Sequence, residues 1–166
     1  NHNYPIKSLA LKGSAVAGLD SISVQELRVI LDRKGEPSPM ITLGAEGRTL
    51  NTAPNIQLHA TLPELSVNSL KNLWPTEVSP ETRDWIAKNL SDGGLTGTEL
   101  RLSLGGDRLD TLATSGVLLT SHLHGVTVQY MDRMPKVIGA AGMMTVTGSQ
   151  AIISLSSGRV PDAQSG

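Results

Sequence analysis

The chain of 166 residues contains no cysteine and no phenylalanine, and aromatic residues make up only 2 % of it. Without cysteine there are no disulfides, no thiolate zinc sites and no cysteine nucleophile. The absence fits an oxidising compartment without requiring one. Outer-membrane barrels need aromatic girdles at both interfaces, so a membrane barrel is a poor reading of so few aromatics. No run approaches the roughly 20 apolar residues of a membrane-spanning helix. Charge of one sign is also missing: 14 basic and 15 acidic residues give a net −1. No run of charges exceeds three residues, and Asp32-Arg33-Lys34 mixes signs. Nothing here makes an electrostatic footprint for nucleic acid or an anionic membrane. The opening Asn1-His2-Asn3-Tyr4-Pro5 is polar and unlike a signal peptide, and residues 158–166 read as a flexible tail. Such ends suggest a piece of a longer protein, with 1–166 as one domain.

What is present is aliphatic residues, 17 glycines and many Ser and Thr, the composition of strands and turns. The clearest stretch runs from Leu73 to Leu104 and holds both tryptophans, Trp74 and Trp85. Ser79 suits an N-cap, Pro80 suits the first helical position, and Glu81 complements the helix dipole. Trp85, Ile86, Asn89 and Leu90 share a face, while Arg83, Asp84 and Lys88 lie largely off it. This predicts a helix over about Pro80–Leu90, pinned to a sheet by Trp85, with Gly93-Gly94 as a left-handed exit. The period then becomes two: Leu100, Leu102 and Leu104 alternate with Glu99, Arg101 and Ser103, a strand with one wet face.

The rest of the chain repeats that alternation. Strands are expected over 6–16 and 21–33, the second with a phase slip near Gln25-Glu26 that suggests a bulge. A helix over 24–31 is the alternative. Ile41, Leu43 and Ala45 mark another strand. Ile56, Leu58, Ala60 and Leu62 mark the next, with Pro63 arguing against a central position beyond it. Val67–Leu73 reads as a helical turn. Further strands cover 109–120, 123–130, 143–148 and 151–157, with 132–142 irregular. Short connections make the sheet antiparallel. The fold class is therefore mostly β, with one or two short helices.

Ordinary catalytic patterns are missing. His122 and His124 would share a strand face, but no third ligand is evident. The Gly-Gly pairs at 93–94 and 105–106 match neither phosphate-loop nor dinucleotide spacing. Ser115-Gly116 lacks the nucleophile-elbow pattern. The glutamates are scattered. No enzyme, metal site or cofactor is expected.

Trp74-Pro75, Pro80, Arg83, Trp85 and Gly93 form an ordered pattern. The pattern resembles the AsmA-like, YhdP-type family of Gram-negative envelope proteins. Gly125 to Tyr130, Met134-Pro135 and Gly142 resemble that family's next segment, so that the likeness spans about residues 73–148. The resemblance implies a long antiparallel sheet curled into an aliphatic trough, a β-groove that carries phospholipid between inner and outer membranes. It also implies a periplasmic location, a full-length protein with a membrane anchor that this chain lacks, and neighbouring groove segments as partners. The family supplies no catalytic residues. On this reading the trough is lined by Ile41, Leu43, Ile56, Leu58, Leu62, Leu100, Leu102, Leu104, Val126 and Val128. Trp74, Trp85, Ile86 and Leu90 pack the helix or cap the groove. The alternation alone describes equally well a β-sandwich whose inner face packs on itself, a structural or interaction module.

Overall fold

Alternation of apolar and polar residues builds strands through most of the chain. The computed structural model describes residues 6–15, 20–31, 40–74, 76, 78–131 and 133–161. Nine strands form one antiparallel sheet that does not close. They are β1 (Ile6–Ala15), β2 (Ser21–Leu31), β3 (Met40–Arg48), β4 (Asn55–Ser66), β5 (Leu90–Ser91), β6 (Gly94–Gly105), β7 (Ala113–Val128), β8 (Val137–Thr147) and β9 (Gln150–Arg159). Their order is β1-β2-β3-β4-β6-β7-β8-β9, with the two-residue β5 pairing β7. Two helices, α1 (Val67–Leu73) and α2 (Pro80–Asn89), stand between β4 and β5. The chain divides into two compact units, residues 1–63 with 99–118, and residues 64–98 with 119–166. The expected turns at Gly18-Leu19 and 34–39, and Pro75 of the motif, lie outside the described residues.

Register in the first unit follows the apolar residues. The phase slip in β2 is a shift in pairing between Val24 and Leu27. It keeps Val24, Leu27 and Val29 opposite Ala45, Leu43 and Ile41, so a bulge absorbs the extra residue and no apolar side chain changes face. At one end of this unit the turns are tied together: Leu50 N–H donates to the Asp20 carbonyl at 3.1 Å, and Gly106 N–H to that of Pro54 at 3.3 Å.

The second unit holds both helices and most of the fully buried side chains. Val67, Leu70, Ile86, Leu90, Leu95, Leu123, Val126, Met144 and Val146 are all buried there. Ser66 caps α1, its hydroxyl accepting from Ser69 N–H at 3.0 Å. Ser79 stands at the N-cap of α2 as expected, but in a left-handed conformation with no capping bond from its side chain. The C-terminus also differs from expectation. Leu90 leaves the helix directly as β5, opposite Val128, and Gln129 N–H donates to the Asn89 carbonyl at 2.8 Å. Gly93 therefore turns β5 into β6 and does not end the helix.

Several boundaries differ from the sequence reading. Residues 109–111 form a short 3-10 helix where a strand was expected, and β8 begins at Val137, inside a stretch that reads as irregular. β7 is one strand of 16 residues where two were expected. β4 continues through Pro63 to Ser66. Its last pair with β3 is Thr61↔Thr42, so the missing proline N–H falls beyond that ladder. Gly158 and Arg159 belong to β9 and not to a tail.

Candidate functional site

Residues directly opposed across an antiparallel pair lie on one face. In the first unit this rule assembles an aliphatic surface row by row. Leu9 and Leu11 oppose Val29 and Leu27. These in turn oppose Ile41 and Leu43. Leu43, Ala45 and Gly47 oppose Ala60, Leu58 and Ile56. Ile41, Leu43, Ile56 and Leu58 are thus brought onto one face, together with β1 and β2 residues that the sequence did not single out. The signal for these was present, since β1 and β2 carry the same alternation.

The surface is incompletely covered. Ile41, Leu43, Ile56, Leu58, Leu100, Leu102 and Leu104 are all half-buried, while Leu62 is buried. Leu9 and Leu11 are 61 % and 67 % exposed. Among the described residues this unit contains no α-helix. Half-buried leucines beside the buried Val29, Ala60 and Leu62 make an apolar face that is only partly covered among the described residues.

Val126 and Val128 are placed differently. They are 0 % and 3 % exposed and lie in the second unit, with Leu90 of β5 directly across from Val128. They sit in a closed core and not on an open face. The helix residues divide as well. Ile86 and Leu90 are each 1 % exposed, and Trp74 is buried with its indole N–H donating to the Val78 carbonyl at 2.7 Å. Trp85 is only half-buried and lines shallow clefts on either side of α2. The helix is therefore anchored by Thr82, Ile86 and Asn89, the three α2 residues that are buried, and not by Trp85. Thr82 reaches the Gly148 carbonyl at 3.4 Å, and the Asn89 amide donates to the Trp85 carbonyl at 2.8 Å. Ile86 and Asn89 belong to the face expected from the sequence, and Thr82 is the buried residue that a hydropathy reading passes over.

The opposite side of the first unit is polar. Glu46, Gln57, His59, Thr61, Glu99 and Arg101 line an open cleft there, with Leu58, Ala60 and Leu100 at its wall. Ser103 donates to Gln57 at 2.7 Å, and the Gln57 amide donates to Asn55 at 3.2 Å. His59 lies over Gly44, its opposite neighbour. His122 and His124 are exposed in β7. Among the described residues no group of three or more His, Asp or Glu is placed to hold a metal ion, and no helix is long and apolar enough to cross a membrane.

The arrangement can offer an aliphatic wall on one side of a sheet and hydrogen-bonding groups on the other. The chain matches no protein-family model, no curated protein and no solved structure.

Proposed function

We propose that the first unit is a lipid-binding wall, a segment of a periplasmic protein that carries phospholipid acyl chains between inner and outer membranes. The observation that carries this reading is the incompletely covered aliphatic face assembled by β1 to β4, together with the half-buried leucines of β6. An acyl chain laid on such a face is held by burial and not by directed bonds. At about 0.8 kcal/mol per fully buried CH₂, half-covering eight methylenes is worth roughly 3 kcal/mol. That is enough to hold a chain and weak enough to let it slide. Aliphatic side chains with few aromatics give a smooth wall without preference for one acyl chain. The resemblance of the Trp-Pro and Gly-Val-Thr-Val-Gln-Tyr segments to the AsmA-like family supports the same reading. Val126, Val128 and the helix residues are assigned to structure and not to lipid contact.

A non-catalytic interaction module is the second reading. The observation favouring it is that, among the described residues, β1 and β9 are the outer strands of the sheet. Lipid binding by the purified chain separates the two. Wild type should bind phospholipid and Leu102→Asp should not, whereas an interaction module predicts no lipid on either.

A further inference from the structure

Among the described residues the aromatic side chains are Trp74, Trp85 and Tyr130. Trp74 is buried, Trp85 is half-buried and Tyr130 is exposed. Trp85 and Tyr130 line one cleft beside α2, with Asp84, Lys88, Asn89 and Met131. Trp85 also lines a second cleft, with Glu81, Thr82, Gln150 and Ile152. Each encloses about 380 Å³, within the range of small-ligand sites. All of these residues belong to the second unit.

Hydrogen bonds tie both cleft walls to the helix. Gln129 N–H donates to the Asn89 carbonyl at 2.8 Å, and the Gln129 side-chain amide donates to the carbonyls of Met131 and Met134. These bonds hold the Tyr130-Met131 segment beside the C-terminal end of α2. The Thr82 hydroxyl donates to the Gly148 carbonyl at 3.4 Å and holds the turn between β8 and β9 against the first turns of the helix. Trp85 contributes little to anchoring α2, yet it stands between two walls fixed in place.

The lining narrows the chemistry of a ligand. Aromatic faces carry the negative side of the ring quadrupole and attract polarised C–H groups and cations. An acyl chain would strip water from Glu81, Asp84 and Lys88 and return no hydrogen bonds. A phosphate-bearing strand would meet the carboxylates of Glu81 and Asp84. An organic cation would meet Lys88. A neutral molecule with C–H faces and hydroxyl edges meets none of these penalties. Glu81 and Asp84 accept from hydroxyls, Lys88 donates to them, and the Gln150 amide does both. The Asn89 amide N–H is engaged by the Trp85 carbonyl, which leaves its oxygen as an acceptor.

We propose that the two clefts bind a saccharide chain, with Trp85 as the platform between them. One sugar ring stacks its C–H face on the indole, Tyr130 flanks the next, and the carboxylates and amides take the hydroxyls at the edges. This site lies in the second unit and stands independently of lipid binding by the first.

Isotope-labelled protein has two tryptophan indole N–H groups to report on the site, and Trp85→Ala assigns their signals. Cellotetraose, chitotetraose and maltotetraose are titrated in separately. At least one should shift the Trp85 signal saturably and leave that of Trp74 in place. By calorimetry, Trp85→Ala should weaken that binding about tenfold, the loss of one aromatic stacking contact, with an unchanged circular dichroism spectrum. Tyr130→Ala should weaken it in the same direction, and this variant decides alone if Trp85→Ala disturbs the fold. The proposal is overturned if none of the three saccharides moves the Trp85 signal, or if binding is indifferent to the substitutions in folded protein. It is equally overturned if sodium decanoate or choline chloride moves that signal and the saccharides do not.

Discussion

Gly93 and Gly125 meet backbone to backbone in the second unit. The turn from β5 to β6 rests against β7 there, and a Cβ on Gly93 would fall 2.6 Å from the Gly125 carbonyl oxygen. Both residues have positive φ, 58° and 65°. The contact is one-sided: a Cβ on Gly125 would find nothing nearer than 3.8 Å. The two pieces of the sequence motif thus touch in the fold. Gly93→Ala adds a backbone collision to conformational strain and should cost roughly 3 kcal/mol in denaturant unfolding. Gly125→Ala carries the strain alone and should cost about 1 kcal/mol. Equal losses would contradict the close approach.

Helix α2 is held by its smaller residues. Ile86→Ala empties a fully buried site and should destabilise by about 2–5 kcal/mol. Trp85→Ala should cost about 1 kcal/mol or less, as for a partly exposed side chain. Acrylamide should quench the Trp85 fluorescence and largely spare Trp74, a distinction that single-tryptophan variants resolve.

Thr98 and Ser121 form a buried hydroxyl pair at 2.8 Å, each side chain 1 % exposed. Ser121 also lies 3.3 Å from the Thr96 carbonyl and so keeps an acceptor when Thr98 is replaced. Thr98→Val should therefore cost about 1 kcal/mol by thermal or chemical unfolding. A loss several times larger would mean that the pair belongs to a wider network.

Aspartate separates the open face from the closed core. Val128→Asp places a carboxylate in a dry interior, at a cost of several kcal/mol, and should abolish cooperative folding. Leu102→Asp lies on the half-exposed face of the first unit, where the carboxylate reaches water, and should leave the circular dichroism spectrum intact. If both variants unfold, the face bearing Leu102 is packed.

The strands with clean alternation, β4 and β6, were legible in the sequence. So was the bulge in β2, because an extra residue in a period-two pattern must either bulge out or turn every later side chain to the other face. β7 was not legible. Breaks were expected near Gly116 and between Thr120 and Leu123, yet the strand runs through both, and the buried residues pass from Leu119, Ser121 and Leu123 to Val126, Thr127 and Val128 across Gly125, whose φ is 65°. Size misled at Trp85, where the buried stripe of Thr82, Ile86 and Asn89 follows helical spacing but is two-thirds polar. Alternation placed Leu102 and Val128 in one class, since period two reports which side of a strand is apolar and not whether anything covers it. Val128 is buried in the unit that also holds α1, α2 and β5, and that packing is a tertiary property.

Native mass spectrometry of the purified chain, with and without added phospholipid, tests the lipid-binding account most directly. The expected spectrum carries discrete phospholipid adducts on the wild type, lost in Leu102→Asp and kept in Trp85→Ala. A clean protein mass without adducts, or adducts equally abundant on folded Leu102→Asp, would contradict it.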